Sequence, residues 1–115
     1  MANALTVDEL LIDRFKTSGF PRVNPETSDA DLADKTLFRA NPNRLAFVVV
    51  NLSTGVIFIA PLGAAASTRG IRLNANGGLI AMDYESMFQA VAYEWHVIGD
   101  ADNLALFSME IVTKN

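Results

Sequence analysis

The chain is expected to fold as a mainly β domain, an antiparallel β-sandwich or jelly-roll-like small barrel, behind an N-terminal helical arm. Three observations predict this. From Leu37 onward, short apolar runs alternate with turns rich in Gly and Asn. Ahead of them, the apolar residues follow a helical period. Between the two lies a polar, acidic stretch carrying Pro21 and Pro25.

The helix is expected over about residues 7 to 18. Thr6 and Glu9 have capping-box spacing, and Leu5 and Leu10 have hydrophobic-staple spacing. Val7, Leu10, Leu11 and Phe15 fall on one face. Gly19 and Pro21 mark the stop. The stretch from Pro21 to Asp34 reads as an extended linker with a short helical turn near Ser28 to Ala33. The domain boundaries that follow are 1–36 for the arm and 37–115 for the β domain.

Leu45 to Val50 is apolar on both faces and β-branched, the pattern of a central buried strand. Asn51 to Gly55 turns the chain, and Val56 to Ala60 reads as the return strand of a hairpin. Pro61 to Ser67 is a loop of small residues, Gly70 to Leu73 a short strand, and Asn74 to Gly78 a strong turn into Leu79 to Met82. Residues 83–90 carry no clear period. Tyr93, Trp95 and Val97 are expected inward, with Glu94 and His96 outward. The last strand, Leu104 to Val112, is expected to face Phe107, Met109 and Ile111 in, and Ser108 and Glu110 out.

Composition narrows the function. At 115 residues the chain holds one domain. Half its residues are hydrophobic and 19% are charged, which predicts apolar surface covered by partner chains. Net charge is −4 and the basic residues are scattered, against nucleic-acid binding. Without cysteine there is no disulfide, thiolate metal site or Cys nucleophile. No run is long enough to cross a bilayer, and no signal peptide opens the chain, so a cytosolic site of synthesis is expected. His96 stands alone, without hydrolase, metalloprotease or P-loop motifs. Asp29, Asp31 and Asp34 lack the glycine and terminal glutamate of a calcium loop. The expectation is a non-enzyme with no cofactor and no metal.

One arrangement is more specific. Arg44 opens a strand that ends Asn51-Leu52-Ser53, an R-x-x-x-x-x-x-N-x-S pattern. Val56 to Ala60, Ser67-Thr68-Arg69-Gly70-Ile71-Arg72-Leu73 and the Gly77-Gly78 turn follow. The strands from Glu94 and from Leu106 close the set. Over residues 43–112 this resembles the small β-sandwich virion structural proteins of tailed bacteriophages, of capsid decoration or head-fibre type. The resemblance implies a capsid decoration or cementing protein binding the major capsid lattice or other virion proteins, homo-oligomeric with a trimer favoured. It implies a virion location after synthesis in the bacterial cytoplasm. Arg44 and Arg69 would orient loops, and Gly70, Gly77 and Gly78 would permit tight turns. Leu10, Leu11 and Phe15 would anchor the arm on a neighbour or on its own sheet. The alternative is a head–tail, tail or fibre component with a receptor- or carbohydrate-binding sandwich, using Tyr84, Phe88, Tyr93 or Trp95.

Overall fold

The computed structural model describes residues 19–113. The expected helix over 7–18, with Leu10, Leu11 and Phe15, lies outside the described residues.

The described chain is mainly β, in two antiparallel sheets. Its strands are β1 (Gly19–Val23), β2 (Asp29–Ala30), β3 (Lys35–Phe38), β4 (Arg44–Asn51), β5 (Ile57–Pro61), β6 (Ile71–Leu73), β7 (Leu79–Asp83), β8 (Trp95–Gly99) and β9 (Leu104–Thr113). One short helix, α1 (Tyr84–Met87), runs into a 3₁₀ turn over Phe88–Ala92. The first sheet has the order β1-β9-β4-β7, with β2 also on β9. The second has the order β3-β8-β5-β6.

The pairing is nested. The β1/β2 edge pairs with β9, β3 with β8, β4 with β7 and β5 with β6, as if one long hairpin had been folded over. Two further ladders, β9 with β4 and β8 with β5, join its arms into sheets. Phe47, Val49 and Leu106 from one sheet and Leu37, Ile59 and Trp95 from the other belong to one buried core. Phe47 sits 5.0 Å from the Phe38 ring and 5.1 Å, edge-on, from Trp95. Each such pair adds about 0.5–1.5 kcal/mol beyond area burial. The Trp95 indole N–H is satisfied by the Ala90 carbonyl at 3.0 Å.

Four sequence readings differ from the structure. First, residues 19–36 are not a linker: Gly19–Val23 and Asp29–Ala30 form the edge of the first sheet. Asn24 takes the Ser108 N–H at 2.8 Å, and Lys35 neutralises Asp29 and Asp31, so polar residues fit a strand edge. Second, Ser28 to Ala33 makes no helical turn, because Ala30 pairs with Leu104. Third, β4 and β5 are not a hairpin. The turn after Asn51 carries the chain from one sheet to the other, and β4 pairs with β7 and β9 instead. Fourth, β9 has the opposite phase: Ser108 and Glu110 are buried, whereas Phe107, Met109 and Ile111 lie on the outer face. Glu110 turns inward because a buried cation, Arg44, requires it.

Candidate interaction surface

Arg44 and Asn51 occupy the two ends of β4. The Arg44 Nε donates to Glu110 Oε2 at 2.6 Å, and both side chains are almost fully buried. Its remaining N–H groups reach the carbonyls of Val91 (3.0 Å), Tyr93 (2.9 Å) and Arg39. Its guanidinium carbon lies 5.0 Å from the Phe38 ring centroid. Arg22 approaches the other Glu110 oxygen at 3.3 Å. Arg44 therefore joins β4, β9, the 39–43 loop and the segment leading into β8.

At the opposite end, the buried Asn51 amide donates to the carbonyls of Gly55 (2.8 Å) and Leu73 (3.0 Å). Its oxygen accepts from the Ser53 N–H (2.9 Å) and hydroxyl (2.6 Å). The Asn51 backbone holds the neighbouring turn through Gly77 N–H (2.7 Å) and Gly78 carbonyl (2.8 Å). Gly77 has a φ of 108°, and a Cβ on Gly78 would collide with the Asn74 backbone. Arg69 is exposed and donates to the carbonyls of Pro61 (2.7 Å), Ala64 (2.9 Å) and Gly63 (3.3 Å), which curls the 61–69 loop around it. Gly70 lies beside it, with a Cβ position 3.0 Å from the Ile59 carbonyl oxygen. Arg44, Arg69 and Gly70 thus sit toward one end of the sheets, and Gly77 and Gly78 toward the other.

The acidic residues before β3 are engaged locally. Asp31 takes Lys35 at 2.8 Å and the Asn103 N–H at 2.8 Å, and Asp34 takes the Ala65 N–H at 2.9 Å and His96 Nδ1 at 2.7 Å. The Lys35 ammonium, then the Asn103 amide, hold the Asp31 carboxyl below its ordinary 3.8. Asp29, then Asp31, hold the Lys35 ammonium above its ordinary 10.5. The lowered carboxyl contributes stability above pH 3.8 that is lost as pH falls through its folded value. The raised ammonium contributes stability below pH 10.5 that is lost as pH climbs through its own. Thermal melts against pH should therefore show a shallower acid limb in Asp31→Asn, and a shallower alkaline limb in Lys35→Met.

Among the described residues, the outward face of the first sheet is largely apolar. Residues paired across antiparallel strands share a face, so the register lays out three rows. Pro21, Ile111, Ala46 and Asp83 form the first, and Val23, Met109, Val48 and Ala81 the second. Phe107, Val50 and Leu79 form the third. Asp83 is the one charged residue in these rows. Leu79 is 62% exposed and Val23 57%. A depression of about 250 Å³ opens where the small Ala46 and Ala81 lie among Val48, Met109 and Ile111. The other sheet is mixed, with Thr36, His96 and Arg72 interrupting Phe58 and Ile98.

A second apolar feature lies beside the Arg44 end. Phe88 is 77% exposed and holds a φ of 54°, costly for a bulky residue. With Pro42, Leu45, Tyr84 and Gln89 it lines an open groove of about 630 Å³. Trp95 is buried, and Tyr84 and Tyr93 both pack against the core; of the candidate aromatics, Tyr84 and Phe88 line this groove. α1 carries a capping box, with Asp83 accepting the Ser86 N–H at 2.8 Å.

The sequence reading missed the outer face because it assigned the apolar phase of β9 to the core. It also missed Glu110 and Asn51 as buried polar hubs, although the R-x-x-x-x-x-x-N-x-S spacing puts a cation and an amide at the two ends of one apolar strand. No family model, curated protein or solved structure matches the chain.

Proposed function

We propose that the chain is a non-enzymatic structural protein of a tailed-bacteriophage virion, a capsid decoration protein that works by assembly. The observation that carries this reading is the apolar outer face of the first sheet. Monomers rarely leave a broad apolar face uncovered, and such patches mark interaction sites. The nested strand pairing across two antiparallel sheets supports reading the fold as a jelly-roll sandwich, an architecture used in viral capsid domains. Arg44 and Asn51 brace both ends of that sandwich, and the residues of the bacteriophage-like pattern are the ones that do so. The partners are the major capsid protein or other virion proteins together with further copies of this chain, a trimer being the favoured homo-oligomer. The location is the virion.

Particles purified after induction of the source bacterium should contain the chain at a fixed, high copy number by quantitative mass spectrometry. Its absence from particles, with the chain left free in the lysate, would remove this reading. In vitro, Val48→Lys with Met109→Glu, an opposite-charge cross-strand pair, should lower the light-scattering mass of the full chain to that of a monomer. Thermal stability should change little, because both positions face outward.

The Phe88 groove favours a second reading, a fibre or tail component that binds receptor or carbohydrate. An exposed aromatic supplies a stacking face for a sugar ring. Phe88→Ala should then abolish binding on a glycan array, and no binding by the unaltered chain would dismiss the idea.

A further inference from the structure

We infer that the open edge of β7 is a strand-addition site, and that its occupant is β7 of a second copy of this chain, paired antiparallel about a two-fold axis at Ile80. This goes beyond the assembly reading above. It concerns the edge of the first sheet rather than its outer face, and it holds whether or not the chain belongs to a virion.

Among the described residues, β1, β3, β6 and β7 are the outermost strands of the two sheets, and all but β7 are guarded. Proteins protect sheet edges with proline, charge, bulges and short strands. At the end of β1, the Asn24 N–H reaches the Ser108 carbonyl of β9 at 2.8 Å. Backbone groups alternate sides along a strand, so Pro21 falls at an outward position, where it offers no donor. β3 carries Lys35 and a register shift between Thr36 and Phe38. β6 has three residues, one of them the exposed Arg72. β7 has five, Leu79-Ile80-Ala81-Met82-Asp83, in an unbroken register with β4 and with no proline, lysine or arginine.

The open groups of this edge follow from its first contact with β4. The Gly78 carbonyl accepts from the Asn51 N–H at 2.8 Å, so Gly78 faces β4. By alternation Ile80 and Met82 turn their backbone groups to β4, and Leu79, Ala81 and Asp83 turn theirs to the edge. Asp83 is already engaged, its N–H and carbonyl meeting the Ser86 hydroxyl at 3.4 and 3.2 Å. Leu79 and Ala81, both exposed, each present one donor and one acceptor outward. The chemistry that matches such a row is another extended backbone.

A second β7 matches it in one register. With Leu79 of each copy opposite Ala81 of the other, each such pair exchanges two hydrogen bonds, and every open group of both edges is used. A large side chain then lies beside a small one, and Ile80 meets Ile80 of the other copy at the axis. Asp83 comes opposite Gly77, which has no side chain, so no like charges meet. The contact is small: stable interfaces bury about 1,000 Å² or more, and a five-residue edge falls below that. It is therefore weak between free chains and strengthens where another contact already holds copies side by side. A two-fold contact does not close a trimer; it ties one oligomer to the next.

The chain has no cysteine, so introduced cysteines report the contact in the full chain. Leu79→Cys and Ala81→Cys chains, one of them labelled with heavy nitrogen, are mixed in equal amounts at high concentration and mildly oxidised. The register places positions 79 and 81 of the two copies about 5.5 Å apart between Cα atoms, within disulfide reach. Identical positions lie on the diagonal, about 7–8 Å apart, at or beyond that reach. Mass spectrometry should therefore find mixed dimers in excess over same-position dimers, roughly five-fold beyond chance. A chance ratio, or a preference for same-position dimers, would overturn the proposal. Adding Ala81→Pro to the Leu79→Cys chain removes an edge donor, as Pro21 does on β1, and should return the mixture to the chance ratio. An excess kept by a proline chain of unchanged melting temperature would overturn the proposal as well. If the proline chain does not fold, the ratio from the two single-cysteine chains decides alone.

Discussion

Glu110→Ala is expected to destabilise the chain by about 3–5 kcal/mol, the usual cost of removing one partner from a buried ion pair. The guanidinium of Arg44 would stay buried, with its charge uncompensated and its Nε–H without the 2.6 Å acceptor. It cannot swing out to water, because three backbone carbonyls on two segments hold it. Arg44→Met should cost a similar amount for a different reason. Glu110 would keep Arg22 at 3.3 Å, but the carbonyls of Arg39, Val91 and Tyr93 would lose their donor. Glu110→Gln keeps an acceptor of the same shape and should be the mildest of the three. Domains of this size have about 5–15 kcal/mol in total, so the alanine variant removes a large share. Urea denaturation of the three variants measures this. A loss under about 1 kcal/mol for Glu110→Ala would show that the pair is not the brace described.

The same pair shows why part of the fold was legible in the sequence and part was not. Turns were legible because Gly and Asn carry local conformational preferences: Gly77-Gly78 and the turn before Leu104 fall where the sequence puts them. Which sheet a turn leads into is not local. The turn after Asn51 has hairpin chemistry, yet it crosses between sheets, because its amide and backbone are claimed by Leu73, Gly77 and Gly78. The phase of β9 is undecidable from alternation, since Leu104, Leu106 and Val112 compete with Phe107, Met109 and Ile111. A contact 66 residues away decides it, when Arg44 needs Glu110 inside. The β1/β2 edge was hidden for a related reason. Its acidic residues look solvated until Lys35, His96 and the Asn103 and Ala65 amides are brought beside them. The outer face became visible only once the phase of β9 was known.

Asn51→Ala is expected to cost about 3 kcal/mol. Two carbonyls, Gly55 and Leu73, lose a buried amide donor, and each orphaned group costs about 1–3 kcal/mol. The Ser53 N–H and hydroxyl lose their shared acceptor, which frees the arc that carries the chain between sheets. Because β4 meets both β7 and β9, the loss should spread through the first sheet and lower the urea midpoint without a separate early transition. Asn51→Asp separates the hydrogen bonds from the shape. The carboxylate keeps the acceptor for Ser53 but faces two carbonyl oxygens with no donor, so burial and repulsion raise its folded pKa above the unfolded value. Stability is then lost as pH rises, because the folded state must hold a charge that the unfolded state places in water. Asn51→Asp should therefore be less stable than Asn51→Ala at pH 7 and should recover toward it at pH 4. Equal denaturation midpoints for Asp and Ala at both pH values would mean that Asn51 works by filling space rather than by joining the two turns.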